Sequence, residues 1–198
     1  MSRLYNRFLK RLVDIVLAVI AIILLAPVFV LVAISIKLDS KGPILFQQQR
    51  VGADKTIFTI FKFRTMYVDT PKNMPTHLLA SPDAYITKVG QFLRKTSLDE
   101  LPQLFNILAG SMSVIGPRPA LYNQTDLIEK REEAGASELK PGLSGLAQVM
   151  GRDTLSIEEK AELDGLYGRK LSFATDVKLI FSTIRKVVKR DGIQEGAS

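Results

Sequence analysis

The chain has 198 residues and a formal net charge of +7, with no cysteine and a single histidine. This composition excludes disulfides, thiolate nucleophiles, cysteine-bound zinc and multi-histidine metal clusters, so catalytic groups must come mainly from carboxylates, hydroxyls and lysines. The positive charge suits anionic lipid or phosphorylated substrates, whereas nucleic acid is not expected, because no nucleic-acid-binding motif and no basic run interleaved with aromatic residues is present.

An uncharged apolar segment runs from Ile15 to Ile36, after a basic start and before Lys37. At about 1.5 Å per residue, a helix of this length spans the roughly 30 Å of a bilayer core. Proline lacks an amide donor and its ring clashes one turn back, so we expect a membrane helix broken at Ala26 and Pro27. Each of the two pieces is too short to cross the bilayer alone.

Two topologies fit this apolar segment. Cations lie on both sides of it, so the positive-inside rule gives little preference for a direction of crossing. A re-entrant hairpin, which enters and leaves one face of the membrane, explains both the cations and Pro27, and a kinked full span is the alternative. The physical arguments leave these two nearly balanced. A cleaved signal peptide is disfavoured, because Pro27 directly follows Ala26, the only plausible small residue at a cleavage site.

The residues after the apolar segment predict a small β-hairpin. Pro43 to Arg50 has an extended pattern, Gly52 to Lys55 has turn chemistry, and Ile57 to Thr65 is rich in β-branched and aromatic residues. In an alternating strand, Lys62 and Arg64 lie on the same face.

The rest of the chain predicts a proline-rich loop over Pro71–Pro82 and then helices, giving an α+β fold class. In the last helix an apolar stripe is accompanied by several cations, so it suits either the protein core or an anionic membrane surface, and the two are equally open. The predicted helices cover Tyr85–Arg94, Leu101–Leu108, Leu121–Ala134, Ile157–Leu166 and Val177–Arg190.

Two adjacent carboxylates, Asp99 and Glu100, are the strongest chemical signal, with Arg94 before them and Arg118 after them. Such a mixture of charges can hold a divalent cation and a phosphate together. Adjacent helical residues point roughly 100° apart, so the two carboxylates suit different roles. A structural interpretation has about equal weight, because Ser97 to Glu100 is also a capping-box pattern.

Two later motifs are also candidates for contact with phosphate or nucleotide. Gly116-Pro-Arg-Pro119 is stiff and suits the Arg118 guanidinium for bidentate phosphate contact, the alternative being an ordinary turn with a solvated arginine. Pro141 to Arg152 is glycine-rich and includes Gln148, and such a loop can approach a nucleotide closely.

These motifs resemble the bacterial sugar transferase family, the monotopic phosphoglycosyl transferases, and the chain is most similar to their small, single-domain form. The resemblance favours the re-entrant helix, although Ala26 replaces the serine that precedes the proline in the family. Asp176 also matches a family aspartate and is expected to form a structural salt bridge or a cap. The matching segments are Lys10–Asp14, Phe46–Arg50, Phe61–Met66, Asp99–Leu104, Gly116–Pro119 and Pro141–Arg152.

The resemblance implies transfer of a sugar 1-phosphate from a UDP-sugar to undecaprenyl phosphate, with release of UMP. The family assigns the first carboxylate as the nucleophile, through a covalent phosphosugar, and relates the second to Mg²⁺. The matching catalytic residues and expected metal ligands are Asp99 and Glu100, with Mn²⁺ as a substitute ion. The substrate-binding residues expected from the motifs are Lys62, Arg64, Arg94, Arg118, Gln148 and Arg152.

The segment from Gly116 to Gln124 is most similar to capsule-synthesis members that use an N-acetylated deoxy-amino sugar. The expected role is the first membrane step of capsule, exopolysaccharide or glycoprotein glycan assembly, with the catalytic domain on the cytoplasmic face of the bacterial inner membrane. Residues 1–40 are the predicted membrane hairpin, 41–190 the catalytic domain and 191–198 a frayed tail.

Membrane lipid is an expected partner, and a homo-oligomer or downstream glycosyltransferases are open as protein partners. Two alternatives to the covalent mechanism also stay open. One is direct transfer, with Asp99 as a base or metal ligand. The other is a non-catalytic membrane scaffold that binds anionic lipid through its basic helices and has no need of Asp99.

Overall fold

A computed structural model describes residues 8–70, 82–151 and 154–189. The described part is an α+β fold with one long apolar helix, an antiparallel hairpin, a short parallel strand pair and several shorter helices. The tail predicted over 191–198, and all but the last residue of the loop predicted over Pro71–Pro82, lie outside these ranges. The elements are α1 Lys10–Asp39, β1 Leu45–Val51, β2 Ile57–Phe63, α2 Pro82–Tyr85, α3 Lys88–Thr96, α4 Gln103–Ala109, β3 Ser113–Ile115, α5 Thr125–Glu133, β4 Gly142–Ser144, α6 Leu146–Met150, α7 Ile157–Arg169 and α8 Phe173–Lys189.

The predicted hairpin is confirmed. Strands β1 and β2 pair antiparallel, in a register that runs from Leu45 opposite Phe63 to Val51 opposite Ile57. A short 3-10 turn, Ala53–Lys55, joins them. Near the turn of the hairpin, β1 also bonds to a later segment of the chain, because the N–H of Val51 donates to the carbonyl of Ala120.

The parallel pair of β3 and β4 was not predicted. Ser113 pairs with Gly142 and Ile115 with Ser144. The two backbones stay close beyond the strands, because a Cβ built on Gly145 would lie 2.1 Å from the carbonyl oxygen of Gly116. Only glycine fits there without a backbone shift, so this glycine of the later motif serves chain packing.

The predicted separation of the apolar segment into two helices at Pro27 is wrong, because α1 is continuous from Lys10 to Asp39, whereas a bend at the proline stays a prediction. Proline removes only its own amide donor, and helical geometry continues on both sides of it. The ends of α1 are nevertheless more enclosed than its middle. Ile23 and Leu24 next to the proline are 67% and 72% exposed, whereas the buried positions are Lys10, Asp14, Ala18, Val32 and Ile36.

Polar contacts attach the first turns of α1 to the rest of the fold. Asp14 accepts hydrogen bonds from the hydroxyl of Ser113 at 3.0 Å and from the backbone N–H of Val114 at 2.9 Å. Lys10 forms an ion pair with Asp176 at 2.6 Å, which confirms the salt bridge predicted for that aspartate.

The far end of α1 is attached to the same fold. Asp39 accepts a hydrogen bond from the backbone N–H of Val89, at the start of α3. Val32 and Ile36 pack with Phe63 and Leu93 in one hydrophobic cluster. Both ends of the apolar helix therefore contact one domain.

Most other predicted helices are present with shifted ends. Helix α3 begins only at Lys88, because Thr87 caps it by accepting from the N–H of Gly90, while Ile86 pairs with Met66. In α8, Leu179 packs in the core with Tyr167, whereas Phe181 and Ile184 are more than half exposed. The apolar residues of α8 thus divide between the core and the surface.

Candidate active site

The centre of the candidate site is a cluster of two carboxylates and two cations. The ammonium of Lys62 donates to Glu100 at 2.8 Å and lies 3.8 Å from Asp99. Arg118 donates to the same oxygen of Glu100 at 3.1 Å. Arg118 is 39% exposed in its side chain, whereas both carboxylates are largely enclosed. The cluster therefore has one cation on the enclosed side and one that reaches toward solvent.

Local backbone geometry places these carboxylates. Helix α3 ends at Thr96, the next residue Ser97 has a left-handed φ of 56°, and Leu98–Glu100 forms a 3-10 turn before α4. Ser97 makes no side-chain capping bond, and the Glu100 carboxylate bonds to Lys62 and Arg118 instead. The capping-box interpretation of this sequence is therefore wrong, and Glu100 belongs to the cationic cluster.

Asp99 is held in an unusual electrostatic setting. Burial raises the pKa of Asp99 above its ordinary value, and the neighbouring Glu100 raises it further, while Lys62, Arg118 and Arg94 act to lower it. A carboxylate removed from water and placed beside cations keeps few competing hydrogen bonds. This setting suits an attacking group on a phosphorus atom better than a solvated surface residue would.

The segment that presents Arg118 is held at four consecutive carbonyls, and the donors come from three parts of the fold, namely β1, α5 and β4. Such bonding fixes the backbone from which the guanidinium extends. The donor and acceptor pairs are Gly142 N–H to Pro117 at 2.8 Å, Arg131 to Arg118 at 2.9 Å, Arg50 to Pro119 at 3.0 Å and Val51 N–H to Ala120 at 3.0 Å.

Arg50 is a site residue that the sequence analysis did not single out, although it ends one of the matching segments. Burial lowers the pKa of Arg50 to about 10, and the nearby Arg118 lowers it further, while Glu100 acts in the opposite direction. Arg50 therefore stays charged at neutral pH and belongs to the same electrostatic cluster. The fixed pairing of β1 with the Arg118 segment brings it there, and no local pattern reveals such a pairing.

Of the other predicted binding residues, one lies near the carboxylates and one lies elsewhere. Arg94 is close enough to influence the pKa of Asp99. Arg64 is buried and donates to the carbonyls of Ser40 and Lys41, so the structure places it at the end of α1 and not among the carboxylates.

The glycine-rich motif holds two of the predicted binding residues, Gln148 and Arg152. Both amide atoms of Gln148 are buried without a hydrogen-bond partner in the structure, which is unusual for a polar side chain. Its oxygen lies beside Gly145, where the chain approaches Gly116. Arg152 lies outside the described residues.

The carboxylate pair is compatible with a hard divalent cation. Within the described ranges there is no group of three or more acidic, histidine or cysteine side chains that could enclose a metal. Mg²⁺ usually binds through one or two carboxylates together with substrate phosphates and water. Asp99 and Glu100 fit that donor set.

Comparison with characterised proteins identifies relatives along most of the chain. A UDP-glucose:undecaprenyl-phosphate glucose-1-phosphate transferase of Escherichia coli is 41% identical over 188 residues, which are 91% of this chain and 40% of the relative. A UDP-N-acetylgalactosamine-undecaprenyl-phosphate N-acetylgalactosaminephosphotransferase of Aeromonas hydrophila is 39% identical, over 91% of this chain and 44% of the relative. This chain thus spans less than half the length of these two relatives.

A relative of similar length is also known. The uncharacterized sugar transferase EpsL of Bacillus subtilis is 38% identical over 187 residues, which are 94% of this chain and 91% of that protein. The family described as bacterial sugar transferase matches residues 5–190. With two carboxylates and two cations brought together by its matching motifs, the chain belongs to the bacterial sugar transferase family.

Proposed function

We propose that the chain transfers a sugar 1-phosphate from a UDP-sugar to undecaprenyl phosphate and releases UMP. The observation that supports this most is the enclosed Asp99 beside Glu100, with Lys62 and Arg118 within reach of the pair. Both substrates carry phosphates, whose negative charge needs cations nearby. The transfer also needs a nucleophile that attacks phosphorus. The Escherichia coli and Aeromonas relatives are named for this kind of reaction.

In the proposed mechanism a carboxylate oxygen of Asp99 attacks the β-phosphorus of the UDP-sugar. The new bond joins that oxygen to phosphorus, the bond from phosphorus to the bridging oxygen breaks, and UMP leaves with that oxygen. A phosphate oxygen of the lipid acceptor then attacks the same phosphorus and releases the Asp99 carboxylate. Each step brings together only two anions, so the same cations assist both.

The remaining residues of the cluster have distinct proposed roles. Lys62 reaches both carboxylates and offsets the repulsion between their charges, while the more exposed Arg118 binds the phosphates of the entering nucleotide. Asp99 and Glu100 would hold Mg²⁺ or Mn²⁺. Such an ion would supply Lewis-acid neutralisation of the phosphate charge.

Single-turnover chemistry tests the covalent step. Enzyme mixed with a productive UDP-sugar and no lipid should release UMP up to about one equivalent per site. Mass spectrometry should detect a sugar-phosphate adduct on the peptide that contains Asp99. Asp99→Asn should lose both signals, whereas Asp69→Asn, an exposed aspartate elsewhere on the surface, should keep both.

The alternatives make different predictions in the same experiment. Direct transfer requires that UMP appear only when undecaprenyl phosphate is added and that no adduct form. A non-catalytic lipid-binding scaffold requires that no UMP appear under any condition, with lipid binding unchanged in Asp99→Asn.

The proposal includes an N-acetylated deoxy-amino sugar as the donor sugar and the cytoplasmic face of the inner membrane as the location. The Aeromonas relative, named for an N-acetylated sugar, supports the first part. The long apolar α1 and the lipid-carrier substrate support the second. A panel of UDP-sugars, compared by kcat/KM, tests the sugar. A preference for UDP-glucose or UDP-galactose would contradict it.

A further inference from the structure

The side chain of Arg50 connects β1 to the segment that carries Arg118. It lies near the end of β1, where the backbone pairs with Leu121 just after the Pro-Arg-Pro motif. Its guanidinium donates to the carbonyl of Pro119 at 3.0 Å and to the side chain of Gln48 at 2.6 Å. Its Nε is buried and has no hydrogen-bond partner in the structure.

The charge of Arg50 lacks a direct counter-ion. No carboxylate lies within 4.0 Å of it in the described part of the chain, whereas Arg131, which holds the neighbouring carbonyl, pairs with Asp164 at 2.8 Å. Arg50 also lies close enough to Arg118 for the two like charges to oppose each other, with Glu100 offsetting this only in part. An enclosed cation next to another cation is unfavourable unless an anion joins them.

We propose that Arg50 is a positioning residue for diphosphate binding, which fixes Arg118 through the Pro119 carbonyl and supplies an unneutralised positive charge behind it. The inference rests on the proposed function, because the anion that completes the site is the diphosphate of the UDP-sugar. Arg131 anchors the same segment with a charge that Asp164 already neutralises. Arg131 therefore only anchors the segment, whereas Arg50 both anchors it and adds positive charge.

Direct binding of UDP and UMP to the full chain in lipid nanodiscs tests this assignment by titration calorimetry. UDP carries one more phosphate than UMP, so an electrostatic role should affect UDP more strongly. Arg50→Met should weaken UDP binding about tenfold, equal to about 1.4 kcal/mol, and UMP binding less. The difference between the two ligands should shrink at high salt, as screened charges require.

Two further variants make the result specific. Arg50→Lys keeps the charge but loses the planar two-point contact, so it should restore most UDP affinity while kcat stays reduced. Lys55→Met removes a cation from an exposed ion pair with Glu132 and should leave UDP binding unchanged. A thermal unfolding scan of each variant confirms that the folded state is being titrated, and Arg50→Gln serves if the methionine variant does not fold.

The outcomes distinguish this inference from the proposed function. Suppose that the unaltered protein binds UDP and that folded Arg50→Met or Arg50→Gln binds UDP and UMP with the same affinities. Arg50 then has no role in diphosphate binding. Equal weakening of both ligands, insensitive to salt, would make it a structural anchor only and would also overturn the inference. If the unaltered protein binds no UDP at all, the proposed function fails as well.

Discussion

Lys10 and Asp176 form a buried ion pair of 2.6 Å although 166 residues separate them in the sequence. The pair joins the first turn of α1 to the first turn of α8. Asp176 also accepts a hydrogen bond from the hydroxyl of Tyr167 at 2.7 Å. The apolar helix is thus attached to the core by a satisfied polar network, and its attachment depends on both charges.

Loss of one member of this pair should destabilise the protein. Lys10→Met leaves the Asp176 carboxylate buried without its counter-charge, which costs about 3–5 kcal/mol. Thermal unfolding in nanodiscs should show a clearly lower Tm. Lys55→Met, which breaks the exposed pair with Glu132, should change stability by no more than about 1 kcal/mol. Equal small effects of the two substitutions would contradict the role of the buried pair.

Arg118→Lys should reduce kcat/KM by about tenfold or more. Lysine keeps the charge but cannot hold Glu100 and a phosphate with one planar group. Steady-state kinetics of UMP release measure the effect, and Arg169→Lys, at an exposed position of α7, is the matched control. Unchanged kinetics in Arg118→Lys would show that Arg118 is a solvated arginine in an ordinary turn.

The acid limb of the pH profile should respond to Lys62. In the proposed mechanism Asp99 must be ionised to attack, and burial raises the pKa of Asp99 while Lys62 lowers it. Lys62→Met removes that lowering, so the pKa of Asp99 rises and activity should be lost at a higher pH on acidification. The pH dependence of kcat/KM measures this shift, with Lys55→Met as control. A shift toward lower pH would show that Lys62 does not stabilise the ionised form.

The elements that the sequence predicted well are those with local signals. The hairpin has β-branched and aromatic runs on both sides of a turn, and its strands lie where expected. The long apolar segment forms one helix. The pairing of Asp99 and Glu100 with Lys62 and Arg118 agrees with the motifs, although spacing alone could not show that Lys62 would reach both carboxylates.

Three of the failures have a common physical origin in contacts between distant segments. The strands β3 and β4 are three residues each, too short for a period-two pattern to show. Arg64 directly follows the strand that holds Lys62, yet carbonyls just after α1 bind it. Arg50 enters the site only because β1 pairs with the segment after Pro119. None of these partners can be found within a local window.

Turnover should depend on a divalent cation. The described residues offer two adjacent carboxylates and no larger acidic or histidine cluster, so substrate phosphates must complete any metal site. A chelator should abolish UMP formation, and added Mg²⁺ or Mn²⁺ should restore it. The ion should also bind more tightly in the presence of UDP-sugar than alone, because the nucleotide supplies ligands. Full activity in excess chelator would contradict the metal requirement.

Both ends of α1 should lie on the cytoplasmic side of the membrane. Lys10 and Asp14 attach its beginning, and Ile36 and Asp39 attach its end, to the same domain. A full span would place those ends on opposite sides of a bilayer core of about 30 Å, which one compact domain could not contact. The exposed apolar middle near Leu24 would then enter the lipid from one face only.

Cysteine labelling tests this topology on a clean background, because the chain has no cysteine of its own. Single cysteines at Leu9 and Lys41 flank the helix at positions that are exposed to solvent or lipid. A membrane-impermeant thiol reagent should label neither in intact spheroplasts and both after the inner membrane is permeabilised. Labelling of only one position in intact spheroplasts would mean that α1 crosses the membrane, and the contacts at one of its ends would then have to be absent in the cell.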